Sequence, residues 1–281
     1  MKQESELNSI NSYISYFEGI ELYGDNFNLK EITQWFEEEA EAYADLVNKN
    51  NSIYTYPYHN SNILNGYNHL KKVQQFNNAL GIGSAYGMEF LPIIDRIRRI
   101  TILEPSENLR SDKIGSIIPN YLKPNINGLI SCDESSCLFD LITCFGVLHH
   151  IPNVTTVLNE LIRVLMPGGY LLIKEPISTM GDWRKPRQGL TKNERGIPVK
   201  FFDNIFQEAK VEVVKKTYID SLFMYKILFK LFNIGYKSKS YAKFDKLISQ
   251  IFSWNMHYHR TSNYQKIAPG GVFYVIRKLP K

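Results

Sequence analysis

The chain has 281 residues, of which 44% are hydrophobic and 13% aromatic, and carries a formal charge of +5 with a pI of about 8.9. That composition excludes a disordered protein, and mild basicity without long Lys/Arg runs gives no nucleic-acid signature. Cys132, Cys137 and Cys144 are odd in number and form no Cys-x-x-Cys pair, which excludes a disulfide framework, argues against a zinc site and fits a reduced, cytoplasmic setting. The N-terminus lacks a signal-peptide core, and no apolar run reaches the roughly 18 residues of a membrane span.

In chain order, residues 1–75 read as a helical N-terminal cap. Ile32, Trp35, Phe36, Ala40 and Tyr43 recur at helical spacing while Glu37, Glu38, Glu39 and Glu41 face water. A polar loop over 48–62 carries Tyr54, Tyr56, Pro57 and Tyr58. Residues 76–219 form the core: a strand at 76–82, a helix at 86–97 interrupted by Pro92, and a strand at 99–104. A helical or irregular stretch follows at 106–119, then a short strand within 121–128, a strand at 140–144 and a helix at 154–165 N-capped by Asn153. Pro167-Gly168-Gly169 stops that helix before a strand at 170–175. Residues 178–200 are a charged loop whose length points to function. A helix from 201 leads to a strand at 211–219. Residues 220–268 are a helical insertion. Over 221–234 the apolar residues run almost all the way round, broken by Lys226 and Lys230, which predicts burial in a cap or at the interface of a homodimer. Residues 269–281 supply a final strand at 271–277.

The turn Leu80-Gly81-Ile82-Gly83-Ser84-Ala85-Tyr86-Gly87 lies between a strand and a helix, where small residues let the backbone bend sharply and approach a ligand. Glu104, followed by Pro105, ends the next strand about twenty residues later, the place of a carboxylate that accepts both ribose hydroxyls of a nucleoside. A second strand–helix–strand unit runs from Phe139 through His149-His150 and Met166-Pro167-Gly168-Gly169 to Glu175.

In this order the motifs resemble those of the class I S-adenosylmethionine-dependent methyltransferases, from about Phe76 to Pro176. The resemblance implies an α/β fold, a doubly wound Rossmann-like seven-stranded mixed sheet with a cap from the N-terminal helices and from the insertion between the sixth and seventh strands. It implies S-adenosylmethionine as cofactor and S-adenosylhomocysteine as product. Gly81, Gly83, Ala85, Tyr86, Gly87, Glu104 and Pro105, with Cys144, Phe145 and Gly146 of the fourth-strand motif, are the cofactor-binding residues so implied. Two departures stand out: Gly81 occupies a position that is often acidic in the family, and Ala85 one that is often glycine. For the adenine contact, Asn127-Gly128 and Cys132-Asp133 are both candidates, the first favoured by register. A dehydrogenase would use the same ribose-binding acid, but the Phe145-Gly146-Val147-Leu148-His149-His150 segment fits the methyltransferase pattern better.

Methyl transfer to a hydroxyl needs its proton removed, and imidazole is suited to that. His149, His150 and Glu175 are therefore the catalytic candidates, an arrangement similar to that of sugar O-methyltransferases; each has an alternative role in packing or bonding its loop. Arg184, Lys185, Arg187, Lys192 and Arg195 make the 178–200 loop basic, which fits an anionic acceptor or a merely solvated loop. Tyr67, Trp183, Arg184, Arg187, Arg195, His257 and His259 are expected to reach the acceptor. No metal is expected: the i, i+2 pair His257 and His259 has no carboxylate nearby in sequence. The absence of an Asp/Asn-Pro-Pro-aromatic or Pro-Cys signature disfavours nucleic acid and favours O-methylation of a sugar, nucleotide sugar or other small polar metabolite, for surface-glycan or secondary-metabolite synthesis. The competing readings are a non-catalytic cofactor-binding regulatory or assembly protein, and an RNA or protein methyltransferase.

Overall fold

The structure, a computed structural model, describes residues 13–48, 55–130, 138–232 and 234–280. Seven strands form one sheet: β1 (Ala79–Ile82), β2 (Ile100–Leu103), β3 (Asn120–Leu122), β4 (Phe139–Phe145), β5 (Leu165–Pro176), β6 (Val211–Ile219) and β7 (Gly271–Lys278). Their order is β3-β2-β1-β4-β5-β7-β6. The first five in space are parallel; β7 runs antiparallel to both β5 and β6. Besides helical residues at 13–18, the helices named below are α1 (Leu29–Asn48), α2 (His59–Asn65), α3 (Val154–Val164), α4 (Val199–Glu208), α5 (Leu222–Phe232) and α6 (Lys239–Ile251).

The central strands are unbroken apolar runs because both of their faces are covered. Side chains alternate across a strand, so Leu80, Ile142, Leu171 and Ile276 pack into one core layer while Ala79, Leu141, Leu172 and Val275 pack into the other. The doubly wound, seven-stranded mixed sheet expected from the motifs is the one observed. Its strand order reverses between β1 and β4, so a crevice opens at their carboxyl ends, where such sheets bind ligands.

Several boundaries shift for local reasons. Phe76 makes only an isolated bridge to Ile97, and β1 begins at Ala79. The helix expected over 86–97 is a kinked 3-10 run, Met88–Arg96, with Pro92 inside it and Ile93 out of helical geometry. Pro92 has no N–H to continue a regular helix. The third strand is shorter than expected and ends at Leu122. Asn153 does precede α3, but it lies at φ 54° with no side-chain cap bond. The cap comes instead from Asp25, whose Oδ1 accepts the Thr155 N–H at 2.8 Å and whose Oδ2 accepts the Thr155 hydroxyl at 2.7 Å. Helix α5 is not sealed within the single chain: Leu222, Phe223 and Phe229 are exposed. No helix among the described residues is long and apolar enough to cross a membrane. Tyr54, Cys132, Asp133 and Cys137 lie outside the described residues.

Candidate active site

The turn after β1 is tight. A Cβ at Gly81 would meet the Ser84 Oγ at 2.2 Å, and one at Gly83, whose φ is +55°, would meet a Val147 methyl at 2.8 Å. Position 83, in the left-handed region, therefore needs glycine, whereas a side chain at 81 would have to displace Ser84. Ala85 takes the strained φ of 47° in the same turn. Glu104, buried at the end of β2, holds this turn in place. Its Oε2 accepts the Ala85 N–H at 3.1 Å and its Oε1 the Ser106 N–H at 3.0 Å. Burial raises its pKa above the usual carboxylate range, and those two N–H groups work against the rise.

Beside the turn lies a cavity of about 410 Å³, lined by Ile82, Gly83, Leu103, Pro105, Ser106, Asn125, Gly128, Leu129, Ile130 and Val147, with Phe36 of α1 also lining it. An apolar slot of this size, bounded by the turn that Glu104 braces, is large enough for an adenosyl group. Gly83, Pro105 and Gly128 of the expected cofactor set line it. The side chain of Asn127 instead accepts the Leu129 N–H at 3.1 Å within its own turn. Cys144 is fully buried with a raised thiol pKa, Phe145 packs against Tyr67 and Phe273, and Gly146 turns the chain out of β4 at φ +71°. The Tyr86 hydroxyl donates to the Asn108 carbonyl at 3.4 Å.

A buried carboxyl next to Gly81 escaped the sequence reading. Glu89 Oε1 accepts hydroxyl bonds from Ser84 at 2.8 Å and Thr143 at 2.6 Å, and burial raises its pKa to about 7. It reaches from the 3-10 run toward the place that an acidic side chain at 81 would occupy. Its only signal in the sequence was an isolated charge in the apolar stretch Met88–Ile94.

A second polar centre sits after β4. Both oxygens of Glu175, itself 1% exposed, accept backbone N–H groups: Oε1 from Val147 and Leu148 at 2.8 Å each, Oε2 from His149 at 3.3 Å. Oε2 also meets His149 Nδ1 at 2.7 Å. Glu175 has no donor to give, so His149 Nδ1 carries the proton and donates it. His150 Nδ1 meets Oε2 of Glu39, from α1, at 3.2 Å. Burial would raise the Glu39 pKa, but His150, Thr191 and Asn193 bring it below the usual range. His149 Nε2 faces Glu194 Oε1 at 3.7 Å, and one donor atom each from His149, His150 and Glu194 lie within 4.8 Å of one another. The two imidazole rings are 4.1 Å apart. Helix α1 also binds this loop directly, through Trp35 Nε1 donating to the His150 carbonyl at 2.7 Å.

The residues expected to reach an acceptor divide sharply. Tyr67 is buried, with its hydroxyl donated to the Glu89 carbonyl at 2.9 Å. Arg195 is fully buried and donates to the carbonyls of Tyr23, Leu148, His149 and Ile151 at 2.8–3.2 Å, where burial lowers its pKa to about 10. Arg184 pairs with Asp182 at 2.8 Å, and Arg187 donates to the Thr191 and Lys192 carbonyls. These arginines hold the 178–200 loop and its neighbours together, so the loop's basic sequence does not become a free anion site. Trp183 stacks on Tyr23 at 5.3 Å, His259 bonds Thr179 Oγ1 at 2.8 Å, and His257 is exposed.

A sheet of this order, with a glycine turn, a strand-end carboxylate and an adenosyl-sized cavity at its reversal, defines a nucleoside-cofactor enzyme of the methyltransferase type. A methyltransferase-domain family model matches residues 27–215, more than half of the chain, and the chain belongs to that family, the class I S-adenosylmethionine-dependent methyltransferases. S-adenosylmethionine is its cofactor. No curated protein matches the chain. Among solved structures it is similar to a chain of the complex between the Haloferax volcanii Trm112 methyltransferase activator and a methyltransferase (TM-score 0.50, 13% identity, covering 79% of this chain and 91% of that one). It is also similar to the N-methyltransferase NodS of Bradyrhizobium japonicum WM9 in complex with S-adenosylhomocysteine (TM-score 0.42, 15% identity, 76% and 87%). A Leishmania major S-adenosylmethionine-dependent methyltransferase is a third (TM-score 0.48, 12% identity, 78% and 72%).

Proposed function

We propose that the protein methylates a hydroxyl oxygen of a sugar or other small polar metabolite. The observation that carries this reading is the His149–Glu175 pair at the carboxyl end of β4, flanked by His150 on Glu39. When bound, the cofactor supplies an electrophilic methyl on a sulfonium, which an oxygen lone pair displaces. The turn at Gly81–Gly87 and Glu104 hold the donor. The loop at 147–150, fixed by Glu175 and by Arg195, presents the imidazoles to the acceptor, where an imidazole nitrogen accepts the hydroxyl proton as the oxygen takes the methyl group and the sulfonium leaves as a neutral thioether. A neutral, polyhydroxyl acceptor is favoured over an anionic one, because Arg184, Arg187 and Arg195 already bind acidic or carbonyl oxygens of the protein itself.

The test is transfer of labelled methyl to a fractionated metabolite and nucleotide-sugar extract, followed by mass analysis of the labelled product. Label on oxygen, reduced at least tenfold in His149→Ala with donor affinity kept, supports the reading. Label only on nitrogen, on RNA or on protein overturns it.

A further inference from the structure

We infer that His149, His150 and Glu194 form a binding site for a first-row divalent transition-metal ion at the acceptor end of the crevice. This inference replaces the expectation of no metal and deepens the O-methylation reading, on which its catalytic use rests.

Three observations point the same way. First, both imidazoles are oriented as metal-bound imidazoles are: each Nδ1 is held by a buried carboxylate, Glu175 for His149 at 2.7 Å and Glu39 for His150 at 3.2 Å. That arrangement fixes the tautomer and turns Nε2 outward as a lone-pair donor. Second, the Nε2 lone pair of His149 faces Glu194 Oε1 at 3.7 Å, too far for a hydrogen bond. A cation seated between these two atoms would bridge them. Third, among the described residues no lysine or arginine forms an ion pair with Glu39, Glu175 or Glu194; their ion-pair partners are the two imidazoles. Arg195, the fully buried cation beside them, gives its N–H groups to carbonyls.

Donor atoms within 4.8 Å of one another need an inward movement of about 1 Å to reach the metal–nitrogen distance of about 2.1 Å. Two imidazoles and one carboxylate suit zinc, iron, cobalt or nickel better than magnesium or calcium, which prefer all-oxygen shells. Three protein ligands leave a coordination position open, and the side chain of His150, 25% exposed, stands on the accessible side. An acceptor hydroxyl taking that position would lose its proton to water more readily, as metal-bound water does. Glu39 and Glu175 are then positioning residues that act through the imidazoles.

The experiment uses the full chain, stripped with chelator and dialysed, without donor or acceptor. Zinc is titrated by calorimetry and cobalt by its visible ligand-field absorption, with magnesium as the control cation. One zinc or cobalt ion per chain is expected, with no comparable magnesium binding. Glu194→Gln and Glu39→Gln should each weaken zinc binding by about 10–100-fold with an unchanged thermal melt. Absence of cobalt bands in the stripped protein, or equal binding by a folded His149→Ala/His150→Ala double variant, overturns the site. Failure here with methyl transfer to oxygen intact leaves the proposed function standing on the imidazoles alone. Metal bound as described with no methyl reaching any hydroxyl supports the site and overturns the proposed function.

Discussion

Replacing Arg195 by methionine separates a structural clamp from a substrate ligand. The methionine keeps an unbranched stem in the same space but removes four hydrogen bonds, to the carbonyls of Tyr23, Leu148, His149 and Ile151. At ~1.5 kcal/mol for each bond from a charged donor, the gross loss is ~6 kcal/mol. Removing the buried charge gives part of this back. The depression of the Arg195 pKa from 12.5 to about 10 sets that relief at ~3 kcal/mol. The net expectation is a destabilisation of about 3 kcal/mol, equivalent to a fall in melting temperature of about 6–10 °C. Arg195→Lys should recover little of it, since one ammonium cannot span carbonyls that approach three separate guanidinium nitrogens. Urea denaturation followed by circular dichroism, with the slope checked for constancy, measures the loss. A change below about 1 kcal/mol together with a raised KM for the acceptor would refute the reasoning and return Arg195 to the acceptor site.

Gly83→Val should weaken donor binding by at least tenfold while leaving the sheet folded, because the new side chain meets Val147 at the cavity wall; calorimetry with S-adenosylhomocysteine reads it. Glu104→Gln removes a charged acceptor and should raise the Kd for the same ligand about 10–100-fold, at ~1.5–3 kcal/mol for hydrogen bonds to a charged group; an unchanged Kd would remove Glu104 from the ribose site. Glu89 carries a pH signature. Its folded pKa is raised from 4.5 to about 7, so the native state holds a proton that the unfolded state releases, and the stability this contributes is full below 4.5 and lost as pH rises to 7. Glu89→Gln should therefore be more stable than the parent at pH 8, by up to about 3 kcal/mol, and equal to it near pH 4.5. Parallel stability curves for the two proteins across that range would contradict this.

What the sequence disclosed follows from what is local. Strands β1, β4 and β5 announce themselves as apolar runs because helices cover both faces, and Gly83 with Glu104 could be paired because strand, turn and strand are neighbours in the chain. The association of His149 with Glu175 was also within reach, since each closes one of two adjacent parallel strands. The rest depended on contacts across long separations. Glu39 lies 111 residues before His150 and had the look of a solvated helix face; it is 1% exposed because the 178–200 loop folds down on α1. Arg195 read as a free cation for the same reason: its partners are backbone carbonyls, which no side-chain pattern reveals. Asn153 failed as a cap because Asp25, more than a hundred residues earlier, arrives to do that task.

Helix α1 reaches both the cavity and the reactive loop: Phe36 lines the cavity, Trp35 grips the His150 carbonyl, Glu39 orients an imidazole and Glu38 binds Asn193. A shortened protein starting at the first strand would keep all seven strands and the glycine turn yet lose one wall of the donor chamber and half the scaffold of its reactive loop.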